Sequence, residues 1–137
     1  MTNELTTTEN TTETAGQIRA FIDTSTKAGQ MALFTAIDNA EPLAEHLDET
    51  MNVKSIVSQR VQVTNEDTGE IRPATRTIFV LDDNTAVSTM SDSIAASVNT
   101  LMSIFGTPDT WDAPIGIVIS EKRSRKGRRF YSLTPVM

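Results

Sequence analysis

A chain of 137 residues with 38% hydrophobic side chains and a net charge of −6 suits one domain whose core needs no covalent staples. It has no cysteine, which excludes disulfides and thiolate metal sites and points to a reducing compartment. No basic-then-apolar leader opens the first thirty residues, and no apolar run approaches the ~20 residues that span a bilayer. The expected setting is therefore soluble and intracellular.

The first fourteen residues, MTNELTTTENTTET, are Thr, Asn and Glu with almost nothing to bury, and such a composition predicts disorder. Residues 15–50 are expected to form a helical N-terminal segment in two or three short pieces. Ile18, Phe21 and Ile22 make one apolar stripe, and Met31, Leu33, Phe34 and Ile37 a second. Asn39 is placed to cap a further turn that begins Glu41-Pro42-Leu43. The only histidine, His46, lies between Glu45 and Leu47 with no companion ligand, so it reads as a solvated position rather than a metal or catalytic one.

From Met51 the texture turns to β. Val53 to Thr64 is long and β-branched, with Val61 and Val63 facing one way and Arg60 and Gln62 the other. A polar turn, Asn65 to Glu70, leads to a second strand, Ala74 to Leu81, with Pro73 at its entry. Asp82-Asp83-Asn84 turns into a short third strand, Thr85 to Thr89. A helix follows, capped by Ser91 or Asp92, with Ile94, Val98, Leu101 and Phe105 on one face and Gly106 and Pro108 at its end. Trp111 is expected to pack under the connection to the fourth strand, Ile115 to Glu121, and Phe79 to belong to the core. The fifth strand is Arg129 to Thr134.

Charge is divided unevenly along this order. Residues 1–50 hold nine acids and two bases, whereas residues 51–137 hold nine acids and ten bases. Six of the twelve cations fall in one stretch, Lys122-Arg123-Ser124-Arg125-Lys126-Gly127-Arg128-Arg129, followed at once by Phe130-Tyr131. That stretch reads as a hairpin with a basic tip and two rings at the root of its second strand. Cations suit phosphates and rings suit unpaired bases, so a single nucleic-acid strand is the natural ligand. The bland alternative is an edge hairpin kept soluble by its charges.

Strand, strand, strand, helix, strand, strand is the element order of a five-stranded Greek-key barrel, the OB-fold, over residues 51–137. There the loop joining the last two strands borders the ligand groove. The expected phosphate contacts are Lys122, Arg123, Arg125, Lys126, Arg128 and Arg129, with Arg60, Arg72 and Arg76 extending the track. Tyr131 and Phe130 point to opposite faces, and the hydroxyl favours Tyr131 as the stacking ring with Phe130 in the core. The acids of the Asn65 to Glu70 turn would repel phosphate if that turn stood beside the groove. No metal, cofactor or enzymatic constellation is read here, since no phosphate-cradling Gly-rich loop and no paired ligands appear.

Several short motifs carry a resemblance as well: Val53-Lys54-Ser55-Ile56-Val57-Ser58-Gln59-Arg60, Thr68-Gly69-Glu70, Pro73-Ala74-Thr75-Arg76-Thr77, Phe105-Gly106-Thr107-Pro108, Trp111-Asp112-Ala113-Pro114, and Lys126-Gly127 before Phe130-Tyr131. Over about residues 51–137 the chain resembles the single-stranded-DNA-binding replication proteins of small tailed bacteriophages. The resemblance implies cover of exposed strands during phage replication, without sequence preference or catalysis, in the host cell cytoplasm. By its charge the acidic N-terminal third is expected to be a handle for replication proteins, a competitor for the basic hairpin, or a solubilising tail with helices that pack on the barrel or make a dimer. A different class of reading makes the chain an adaptor or inhibitor that binds a host protein through acidic N-terminal helices. A third takes duplex or structured RNA as the ligand.

Overall fold

The computed structural model describes residues 18–136. Within them the chain forms β1 (Ile18–Ala20), α1 (Lys27–Asn39), β2 (Glu41–Pro42), β3 (Met51–Thr64), β4 (Ile71–Leu81), β5 (Ala86–Thr89), α2 (Asp92–Phe105), β6 (Ile115–Arg123) and β7 (Arg129–Val136), with single 3-10 turns at Leu43–Glu45 and Pro108–Thr110. The tail expected to be disordered, residues 1–14, lies outside the described residues.

All described strands join one sheet in the order β2-β5-β4-β3-β6-β7, and β1 pairs with β3. The β-branched run of β3 makes it the axis. It lies antiparallel to β4 from Val53 to Thr64, to β6 over Met51–Val53 and to β1 over Val57–Gln59. Its register shifts between Val53 and Ser55. Such a bulge bends a strand and strengthens its twist, and the sheet curls into a half-barrel around it.

Because side chains alternate along a strand, this sheet has two buried faces. On the concave face Val53, Ile56, Phe79, Leu81, Ile117 and Ile119 meet Ile94, Val98 and Leu101 of α2. On the other face Val57, Ile78, Val80 and Ala86 meet Ala36 of α1, with Leu33, Ile37 and Ala40 beside it. Ser91 caps α2 by accepting a hydrogen bond from the Ile94 amide at 3.2 Å, and Gly106 ends it at φ +85°. Trp111 packs against the concave core and donates its indole N–H to the Gly106 carbonyl at 2.9 Å.

The strand-strand-strand-helix-strand-strand order holds from Met51 onward, yet the barrel does not close. Closure would pair β5 with β7, but among the described residues β5 pairs with β4 and, in parallel, with the two residues of β2. The strand β7 pairs with β6, and α2 leans on it, with the Ser93 hydroxyl donating to the Tyr131 carbonyl at 2.9 Å.

The N-terminal third is also less helical than expected. Among its described residues there is one α-helix; Ile18 lies on a strand, and the turn after Asn39 is a single 3-10 turn without a side-chain cap. On α1 the sheet-facing stripe is Leu33, Ala36 and Ile37, continued by Ala40 just past its end. Met31 and Phe34 are turned outward, at 62% and 69% exposure. Both β1 and β2 are built into the same sheet as the remainder of the chain.

Candidate nucleic-acid interface

The last hairpin is built as its sequence suggests. Ile117 and Ile119 anchor β6 in the core, and β7 returns beside it with Arg123 opposite Arg129, Lys122 opposite Phe130 and Glu121 opposite Tyr131. Between them, Ser124 to Arg128 form the turn, closed by Ser124 N–H to the Arg128 carbonyl at 2.8 Å and Gly127 N–H to the Ser124 carbonyl at 2.9 Å. Gly127 adopts φ +81°, a conformation costly for any residue with a Cβ. The Arg128 amide donates to Ser124 Oγ at 3.2 Å. Three of the turn's amides are thus engaged within it, and the side chains of Arg125, Lys126 and Arg128 are exposed.

The register decides what each face of the hairpin carries. Residues directly opposite one another share a face. Ile119, Leu133, Tyr131, Glu121, Arg123 and Arg129 are therefore on the concave side, and Lys122 and Phe130 on the other. Tyr131 is partly buried and packs against the concave core. Phe130 is 40% exposed. The order expected for the two rings is reversed: Phe130 points outward beside Lys122, and Tyr131 leans inward. The reason is parity, since Tyr131 is in step with Leu133 and Ile119, which are fixed by the core. Arg129 also has an acid near it, with its Nη1 4.0 Å from Glu121 Oε2.

The three arginines of the first two long strands do not form one track. Arg60 is opposite Thr75 and in step with Ser58 and Thr77 on the concave side. Arg76, opposite Gln59, and Arg72, opposite Val63, are on the other side. Arg76 Nη1 donates to Gln59 Oε1 at 3.2 Å. Nor do these arginines adjoin the hairpin. From the three residue pairs where β3 meets β6, β3 runs seven residues past Val53 to Arg60, while β6 runs eight past Ile115 to Arg123 in the opposite direction. At ~3.3 Å per residue the two are roughly 50 Å apart along the strand path. The acidic turn Asn65 to Glu70 is farther out still, at the Arg60 end.

Sequence reasoning passed over Arg19 and placed Phe21 on an apolar helical stripe, whereas Ile18–Ala20 is a strand. The guanidinium of Arg19 lies 5.5 Å from the centroid of the Phe21 ring. Arg19 is directly opposite Ser58, in the middle of a three-residue strand, too short for alternation to be recognised.

The lone histidine is engaged structurally. His46 Nε2 lies 2.6 Å from Glu41 Oε1 and Nδ1 3.2 Å from Glu49 Oε1. Partial burial disfavours its charged form, but the hydrogen bonds and charges of the two carboxylates outweigh that and hold its pKa above the ordinary histidine value. Among the described residues no group of three or more acidic or histidine side chains is placed to hold a metal ion.

Over residues 2–135 the chain matches the family model described as Phage Single-stranded DNA-binding protein. Neither a curated protein nor a solved structure matches it.

Proposed function

The chain belongs to the phage single-stranded DNA-binding protein family, and we propose that it covers exposed strands during phage replication through the hairpin of β6 and β7. Single-stranded DNA is the partner the family carries, and its work is binding rather than catalysis. The finer reading assigns phosphate contacts to Lys122, Arg123, Arg125, Lys126, Arg128 and Arg129, and base stacking to Phe130. Contacts of long cationic side chains with phosphate carry no sequence information, and a ring accepts any base. Binding is then indifferent to sequence. In this reading residues 51–137 form the binding domain and the host cell cytoplasm is the setting.

One observation carries the choice of ring. Lys122 and Phe130 are direct cross-strand partners on the face turned away from the concave core. A phosphate held by Lys122, or by the tip beyond it, leaves its base within reach of an exposed ring. Tyr131 is opposite Glu121 and packed inward, so it supports the hairpin rather than the strand. The adaptor reading finds no acidic helix to work with among the described residues, since α1 carries one acid, Asp38, and one base, Lys27.

The test is fluorescence polarisation of labelled dT16 against a duplex of equal length over a salt series. Preference for dT16 is expected, with a slope of log affinity on log salt near −3 if about four phosphates are neutralised, at ~0.7 each. Equal affinity for both would reduce the protein to a general polyanion binder, and no retention of either would overturn the reading.

A further inference from the structure

We infer that the concave face beside β1 holds a second single-strand subsite, in which Phe21 takes a base and Arg19 with Arg60 takes the adjoining phosphate. The inference rests on the single-strand reading above and adds a site remote from the hairpin.

Three observations converge on it. The first is orientation. Ile18, Ala20 and Ile22 pack against the core on the α1 side of the sheet, whereas Phe21 belongs to neither core cluster. A half-buried ring outside both cores is available to a flat ligand in a way that Phe79, wholly enclosed, is not.

The second is the company of that ring. Arg19 is exposed, with its guanidinium 5.5 Å from the ring centroid. A cation resting on a ring is already partly ordered, so less freedom is lost when it meets a phosphate. Bases stack on aromatic rings and on guanidinium planes alike.

The third is register. Arg19 is opposite Ser58, and Arg60, two residues further along β3, shares that face. Diagonal neighbours in a sheet are roughly 7–8 Å apart, a spacing that lets two guanidinium groups reach one phosphate. Ser58 and Thr75, the partner of Arg60, are half-buried and add hydroxyls to the floor. Cations, a ring and hydroxyls on an open strand surface suit an extended nucleotide and offer no enclosed pocket for a small molecule.

The two sites are at opposite ends of the sheet, so their contributions are expected to add independently. The full chain is tested with labelled dT16 by polarisation over a salt series. Phe21→Leu is expected to weaken binding by roughly 5- to 150-fold, and Phe21→Trp to restore it. Arg19→Gln is expected to make the salt slope shallower by about 0.7. Combining Phe21→Leu with Arg123→Gln and Arg129→Gln should multiply the separate losses. If Phe21→Leu does not fold, Arg19→Gln decides by itself, and an unchanged slope overturns the subsite. Unchanged affinity and slope in both single variants, with loss in the hairpin variant, would also overturn it while leaving the hairpin reading intact. Failure of the unaltered chain to prefer dT16 over duplex would remove both.

Discussion

Glu121 and Arg129 stand on the same face of the last hairpin, two residue pairs apart in register, with the carboxylate Oε2 4.0 Å from the guanidinium Nη1. An acid at the root of a basic tip competes with phosphate for the cation next to it. Both groups are well exposed, where such a pair contributes little to stability. Its effect on affinity is the more telling quantity.

Glu121→Gln should therefore bind dT16 more tightly at low salt, by up to roughly fivefold if the pair is worth about 1 kcal/mol or less. The gain should fade as salt screens the charges. A thermal melt should be nearly unchanged. Weaker binding in this variant would mean that Glu121 positions Arg129 for DNA rather than opposing it.

The reversed rings separate binding from folding. Phe130→Leu is expected to lose ~1–3 kcal/mol of affinity for dT16 with a small change in thermal midpoint, because the ring is exposed beside Lys122. Tyr131→Leu should do the converse, lowering the midpoint through lost packing against Leu133 and its neighbours while the folded fraction still binds. Polarisation and melting on the same two samples decide the matter.

The entry to α1 is built around the absence of a side chain at Gly29. A Cβ there would lie 1.6 Å from the Asp23 carbonyl oxygen, and the Gly29 amide donates to the capping hydroxyl of Thr26 at 3.0 Å. Gly29→Ala should cost about 1–3 kcal/mol, the usual range for overpacking, in spite of alanine's better helix propensity. Chemical denaturation measures it. A stabilised variant would show that the Asp23 segment moves aside freely.

His46 gives the fold a pH dependence of definite sign. Its folded pKa is raised, so its contribution is complete below the unfolded histidine value, near 6.5, and is lost as pH rises through the folded one. As pH rises above about 6.5 the thermal midpoint should carry a downward component that His46→Gln lacks. Identical pH profiles for the two proteins would show that the Glu41 and Glu49 contacts hold the neutral ring equally well.

Much of this was legible in the residues. The β-branched run of β3, the caps of α2 and its stripe from Ile94 to Leu101, though not the exposed Phe105, and the basic hairpin each carry a local signal strong enough to survive folding. The elements that escaped are those whose state is set by a partner. Ile18-Arg19-Ala20 is a strand because β3 offers it a free edge, and Glu41-Pro42 because β5 does. Neither is long enough to show a period. Phe130, expected in the core, is exposed for a related reason. Alternation says that Phe130 and Tyr131 part company, but which one turns inward depends on their register against Ile119. The arginine track failed in the same way, since Arg60 and Arg76 are on different strands and only the pairing of β3 with β4 shows that they face opposite sides.

The narrow seam between β6 and β3 has a mechanical corollary. Only Ile115, Gly116 and Ile117 hold the outer hairpin to the central strand, helped by the Asp48 amide on the Ile119 carbonyl at 2.9 Å and the Ser120 hydroxyl on the Asp48 carboxylate at 2.8 Å. Ile119, Leu133 and Tyr131 pack on the concave core, so it is the tip beyond them that is expected to open locally, at less cost than unfolding the whole. Its outer amides should trade deuterium early, and a bound oligonucleotide should slow that trade by pinning the tip.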